Sequence, residues 1–311
     1  MANKKWIPNK KNNYNPPECK DERLKFVAVG CGKCVECKRQ RSRGYAVRLQ
    51  EEIKTDKSGQ YVTLTFSNEA IQELAEGIEI DGYERDNAIA IKAVRRFLER
   101  WRKRTKKSVK HWLITELGHE GTENIHLHGI IFTNEKEKIE TTWQYGFVRI
   151  GEYVNNRTVN YCIKYVTKQD GDHKFYEPKI LSSPGIGRNY INRADSKRNL
   201  YRPGGETRET WVADNGKKLN LPTYYRNKIY TEEEREKLWI EKLDKGERYV
   251  LGIKAENMEH YWAMVNEARA KNDWLGFGNN EKNWDRIIYE NNLRNLKFRE
   301  RITKLKQNDM E

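Results

Sequence analysis

The chain has 311 residues, of which 60 are Lys or Arg and 46 are Asp or Glu, giving a formal net charge of +14; 11% are aromatic. A basic surface interleaved with aromatics points to a polyanionic partner, nucleic acid first and an acidic membrane surface second. No run of 18 apolar residues occurs, which excludes a membrane-spanning helix, and the opening M-A-N-K-K-W-I-P lacks an apolar signal core, so a cytoplasmic protein is expected.

Residues 1–18 are polar and read as a loose arm. Four of the five cysteines, Cys19, Cys31, Cys34 and Cys37, crowd together. In a reducing compartment they suit a structural Zn²⁺ held through thiolates, or else stay reduced in a turn. Residues 38–54 read as a basic helix. Tyr61-V-T-L-T-Phe66 alternates with period two and is β-rich, which predicts a strand. Residues 67–86 are acidic and read as a connector. Over 87–107, Ile91, Val94, Phe97, Leu98 and Trp101 form an apolar stripe, which predicts a helix. Arg95, Arg96, Arg100, Arg102, Lys103, Arg104, Lys106 and Lys107 cover the rest of it. Charge so nearly of one sign suggests a phosphate track.

His111-W-L-I-T-Glu116 and Asn124-I-H-L-H-G-I-I-Phe132 read as two strands joined by a glycine-bearing turn, an antiparallel hairpin. Side chains two apart on a strand share a face, so His126 and His128 project together while Ile125 and Leu127 point the other way. Two imidazoles make half of a divalent metal site; a solvated polar face is the plainer alternative. Strand pairing offers Glu116 as a third ligand, with His119 and Glu120 as competitors. Trp143 to Ile150 is a further strand candidate.

On a helix over 158–168, Val159, Cys162, Ile163 and Val166 form one stripe, to be buried on the sheet. Tyr161, Lys164, Tyr165 and Lys168 form the opposite one. A tyrosine hydroxyl can attack a phosphodiester and become linked to it, and a nearby cation must help because the free phenol is a weak nucleophile. The lysines can offer charge to the phenol or the phosphate. A solvated Tyr/Lys face is the competing reading. Residues 171–228 read as ordered loops and short strands, and 231–245, 254–271 and 281–307 as helices, the last one basic.

Val62-T-L-T-Phe66, His126-L-His128 and Tyr161-C-I-K-Tyr165-V-T-Lys168 together resemble the HUH-type endonucleases that initiate rolling-circle replication. The doubled tyrosine is similar to the two-tyrosine initiators of the microviruses, small phages with circular single-stranded DNA. Cys31-G-K-C-V-E-Cys37, Ser183-P-G-I-Gly187 and Leu221-P-T-Y-Tyr225 extend the likeness, which covers roughly residues 28–226. The resemblance implies an α+β fold with a five-stranded antiparallel sheet flanked by helices. The expected organisation is an N-terminal Cys-rich segment (1–56), an endonuclease domain (57–228) and a mostly helical C-terminal extension (229–311). It also implies Mg²⁺ or Mn²⁺ on His126, His128 and a third ligand. One tyrosine would nick origin DNA, leaving a 5′-phosphotyrosine and a free 3′-OH, and the other would serve when the strand is rejoined. Tyr161, Tyr165, Lys164 and Lys168 would be the catalytic residues. Single-stranded and origin DNA would be partners, with a host helicase and polymerase beside them, since the chain has no G-x-x-x-x-G-K-[ST] run of its own.

Two other classes compete. A nucleic-acid-binding protein without catalysis would share the charge and the aromatics but has no need of two phenols beside a His pair. A zinc-dependent hydrolase would be expected to show H-E-x-x-H, which is absent.

Overall fold

The structure is a computed structural model that describes residues 3–25, 32, 34–119, 123–151, 153–168, 170–275 and 284–308. The chain divides into two units, residues 1–40 with 191–270, and residues 41–190 with 271–311. The fold is α+β, as expected.

The second unit is built on one antiparallel sheet. Helix α1 (Val35–Thr55) leads into β1 (Gly59–Leu64), followed by α2 (Asn68–Ala75), α3 (Gly82–Thr105), β2 (Lys110–Leu117), β3 (Ile125–Phe132), α4 (Lys136–Trp143), β4 (Val148–Ile150), α5 (Asn156–Thr167) and β5 (Ile180–Ser182). The strand order is β4-β1-β3-β2-β5, so the imidazole strand β3 lies at the centre. Alternation along the strands sorts the core into two layers. Val62, Leu64, Leu113, Ile125, Leu127 and Ile131 pack with the apolar side of α3, whereas Trp112, Ile114 and Ile130 pack with Leu49 and Ile53 of α1 and with Val159, Cys162, Ile163 and Val166 of α5.

Several expectations need correction. The connector over 67–86 contains α2, capped by the Ser67 hydroxyl, which accepts from the Ala70 amide at 3.2 Å. Trp143 ends α4 rather than opening a strand; it is fully buried, and only Val148–Ile150 pair with β1. The basic side of α3 is no phosphate track beside the imidazoles, because α3 covers the other sheet face. Arg100 is spent on the Thr142 and Trp143 carbonyls at 3.0 and 2.9 Å, and Arg96 pairs with Glu73 at 2.8 Å.

Helix α9 (Trp284–Asn308) belongs to this unit and completes its core. Phe298 is buried, and Arg294, 3% exposed, forms an ion pair with the buried Asp86 at 2.7 Å. Arg294 also donates to the Glu123 carbonyl at 3.0 Å, Lys297 pairs with Glu123 at 2.6 Å, and Arg301 donates to the Asn124 side chain. The approach to β3 is thereby held from the C-terminal end of the chain.

The first unit carries the short hairpin β6 (Thr210–Val212) and β7 (Lys218–Asn220), helices α6 (Thr223–Ile229) and α7 (Glu232–Asp244), a second hairpin β8 (Tyr249–Val250) and β9 (Ile253–Lys254), and α8 (Met258–Trp274), which runs on past its end. Trp211, Leu221, Tyr225, Tyr230 and Leu238 are buried in it. The N-terminal segment is not a loose arm: Lys5 bonds Glu236 at 2.8 Å and Arg23 bonds Asp244 at 2.8 Å, both on α7. Of the cysteines expected to hold zinc, Cys31 lies outside the described residues. Cys19, Cys34 and Cys37 are partly buried, and the Cys19 thiol donates to the Asp21 carbonyl at 3.1 Å.

Candidate active site

Register decides what meets on the inner face. Glu116 of β2 is paired with His126 of β3, and Thr63 of β1 with His128. Glu116, His126, His128, Thr63 and Tyr61 therefore share one face. The close approach of β2 to β3 depends on Gly129: a Cβ there would lie 2.1 Å from the Trp112 carbonyl oxygen and 2.8 Å from the Leu113 Cα.

One oxygen, Glu116 Oε2, lies 3.1 Å from His126 Nε2 and 2.8 Å from His128 Nε2. The three ligand atoms gather within 4.8 Å of one another, so this group can hold a cation. The other nitrogen of His128, Nδ1, meets the Tyr61 hydroxyl and the Thr63 hydroxyl at 3.1 Å each. Those two contacts fix the ring and leave Nε2 for the site, the usual support behind a ligating histidine. Burial alone would raise the Glu116 carboxyl; its hydrogen bonds to His126, His128 and Lys168 outweigh that and hold it well below the ordinary carboxylate range. Burial is also the main reason that the His128 imidazole is harder to protonate than usual. Two imidazoles and a carboxylate fit a divalent ion, and nitrogen donors favour Mn²⁺ over Mg²⁺.

Helix α5 brings the phenols to this face. Asn155 starts it, its side chain accepting from the Arg157 and Thr158 amides at 2.9 and 3.0 Å while the Thr158 hydroxyl accepts from the Asn155 amide at 3.2 Å. Val159, Cys162, Ile163 and Val166 are buried, as expected; burial pushes the Cys162 thiol up to about 12, so it is no nucleophile. The opposite stripe is not uniformly presented. Tyr161 is 44% exposed, whereas Tyr165 is 5% exposed. The Tyr165 ring stacks on His128 with centroids 4.5 Å apart, and its hydroxyl donates to the Tyr161 hydroxyl at 2.8 Å. Burial, reinforced by that hydrogen bond, pushes the Tyr165 phenol far above its ordinary value. The Lys164 ammonium sits over the Tyr161 ring at 3.7 Å from its centroid, and Lys168 is bonded to Glu116. A cavity of about 690 Å³ opens beside Tyr161, lined also by Tyr61, Tyr153, Asn155 and Arg157.

The structure thus brings together His126, His128, Glu116, Tyr161, Tyr165, Lys164 and Lys168. Of the competing third ligands, Glu120 lies outside the described residues, and His119 joins a different group with Asp170 and His173. Sequence reasoning missed Tyr61 and Thr63 as partners of His128. Their odd positions in the alternating Tyr61-V-T-L-T-Phe66 strand carried the signal, but only the pairing with β3 says which face they share. The Ser183-P-G-I-Gly187 run is an anchor for α1: the Gly187 amide donates to the buried Glu52 at 2.6 Å, and Arg48 donates to the Ile186 carbonyl at 2.9 Å.

Residues 59–170, from β1 to just past α5, match the family model of the replication-associated protein ORF2. The replication-associated protein ORF2 of Spiroplasma virus 4 is 28% identical over 236 residues, which cover 66% of this chain and 68% of that protein. No solved structure matches. The imidazole pair, Glu116, both tyrosines and both lysines all fall inside the matched range. Among the described residues, no helix is long and apolar enough to cross a membrane.

Proposed function

We propose that this chain, which resembles viral replication-associated proteins through the strands and helix that carry its site, is a phage replication initiator of the HUH type. It nicks one strand of origin DNA by attack of a tyrosine hydroxyl on a phosphodiester. The single observation that carries this reading is the stack of Tyr165 on His128, which sets two linked phenols directly against the imidazole–carboxylate group. A divalent ion, Mn²⁺ or Mg²⁺, held by His126, His128 and Glu116 would supply Lewis-acid polarisation of the scissile phosphate when bound.

The chain's own residues do the rest. Tyr161 offers the accessible hydroxyl. Its oxygen bonds to phosphorus as the bond to the 3′ oxygen breaks; the phenol proton is released and the departing 3′ oxygen takes one up. Tyr165, donating to the Tyr161 oxygen, and Lys164, over its ring, both favour the phenolate character that develops. Lys168 keeps Glu116 ionised and positioned. The product is a 5′-phosphotyrosine and a free 3′-OH for a polymerase, with a host helicase to open the duplex. Rejoining is the same exchange in reverse: the 3′-OH displaces the tyrosine, so no nucleotide cofactor is required. A second phenol within hydrogen-bond reach of the first allows a further cleavage before the first link is released. The four-thiolate zinc remains part of this proposal as a structural element outside the catalytic face.

The test mixes the protein with single-stranded origin DNA and Mn²⁺ and looks for a protein–DNA adduct that survives boiling in detergent. Adduct formation, lost on chelation and absent from the Tyr161→Phe/Tyr165→Phe double variant and from His126→Ala/His128→Ala, supports the reading. Retention of the DNA without any adduct would instead favour the non-catalytic binder.

A further inference from the structure

We propose that a second divalent cation is held by His119, Asp170 and His173, apart from the ion of the candidate active site and independent of the nicking reaction. The donor atoms of these three residues lie within 4.8 Å of one another. His119 follows β2, and Asp170 and His173 follow α5, so the group joins the turn beyond the carboxylate strand to the segment leaving the tyrosine helix.

The arrangement has the parts of a built site. Asp170 Oδ1 accepts the amides of Asp172 and His173 at 3.0 and 3.1 Å, which fixes the carboxylate. His173 Nδ1 faces Asp170 Oδ2 at 2.8 Å, and on the far side of the same ring Nε2 lies 3.4 Å from Glu123 Oε2. With the proton on Nε2, donated to Glu123, Nδ1 is left with a lone pair turned inward, the carboxylate–histidine–cation relationship that fixes a ligating tautomer. Glu123 is in turn held by Lys297 at 2.6 Å and Arg294 at 3.4 Å. His119 Nδ1 stands 3.6 Å from Asp170 Oδ1 and 3.3 Å from Asp172 Oδ2, so Asp172 offers a fourth oxygen.

Two imidazoles and one or two carboxylates suit a borderline cation, Zn²⁺ before Mg²⁺. Tetrahedral Zn²⁺ with bonds of about 2.0–2.2 Å needs donor atoms roughly 3.3–3.6 Å apart. The group must therefore close by about 1 Å, and His119, 38% exposed against 6% for His173, is the side chain free to do it. Lys168 stands 3.4 Å from His119 Nε2 and is also bonded to Glu116. Binding through Nδ1 puts the proton on Nε2 and leaves Lys168 to Glu116 alone. An imidazolium at His173 bridging Asp170 and Glu123 is the ion-pair alternative; it gives His119 no part.

Metal-free protein is equilibrated with Zn²⁺ by dialysis and the bound zinc counted by atomic absorption, for wild type, His119→Ala, His126→Ala and the double variant, with folding checked by circular dichroism. The expected loss is one Zn²⁺ per chain in each single variant and two in the double; zinc on the N-terminal cysteines is common to all four. Glu123→Gln should weaken the second ion by about 10–100-fold without removing its ligands. A His119→Ala protein that holds as much zinc, as tightly, as wild type overturns the proposal, as does a double variant that loses only one ion.

Discussion

The ring of Tyr165 lies parallel to the imidazole of His128, 6° between planes and 4.5 Å between centroids. One face of His128 is thus covered by a phenol, while its edge points at Glu116. The two tyrosines consequently do different jobs in the resting protein: Tyr165 is packed and hard to ionise, and Tyr161 is accessible.

Tyr161→Phe should therefore abolish the first cleavage, whereas Tyr165→Phe should keep it. Losing the hydrogen bond that Tyr165 gives to Tyr161 removes about 0.5–1.5 kcal/mol of stabilisation, a slowing of roughly two- to tenfold. Single-turnover adduct formation on single-stranded origin DNA separates the two; equal loss in both variants would show that the hydroxyls act only as a pair.

Glu116 makes a pH-dependent contribution to stability whose sign is set by its depressed folded-state value. The contribution is fully present above the unfolded carboxylate's pKa of about 4.3 and is lost as pH falls below that, through the lower folded-state value. Urea midpoints recorded in chelator between pH 6 and pH 3 should fall more steeply for wild type than for Glu116→Gln. Parallel curves would mean that the carboxylate is not held as described.

Gly129→Ala sets a methyl against the Trp112 carbonyl between two central strands. The strands must separate, at about 1–3 kcal/mol or more, and His128 moves with them. A lowered urea midpoint together with weaker metal binding is expected; an unchanged protein would mean that β2 and β3 lie farther apart.

Arg294→Ala removes one partner of a buried ion pair and leaves Asp86 uncompensated. Breaking such a pair destabilises by about 3–5 kcal/mol. A large fall in Tm, partly rescued by Asp86→Asn in the same chain, is the expected signature.

The imidazole pair, its carboxylate and the tyrosine helix were legible in the sequence because each follows from local periodicity: two on a strand, three and four on a helix. What was not legible depends on register and layer. Tyr165 shares a stripe with Tyr161, yet a 100° step along α5 turns it into the sheet, where His128 offers a flat surface. The cations of α3 looked available because sequence shows neither that α3 takes the opposite layer nor that Arg100 caps the end of α4. His119 and His173 are 54 positions apart in number, and no spacing rule brings them together; the chain's path out of α5 does.

The clasp of α9 on the approach to β3 has a consequence for how the protein comes into being. A ribosome releases the imidazole strand early and the helix that steadies its entry last. Through most of its synthesis the nascent polypeptide therefore carries all the reactive side chains without the guanidinium groups that seat them, and the site matures only when translation is almost over.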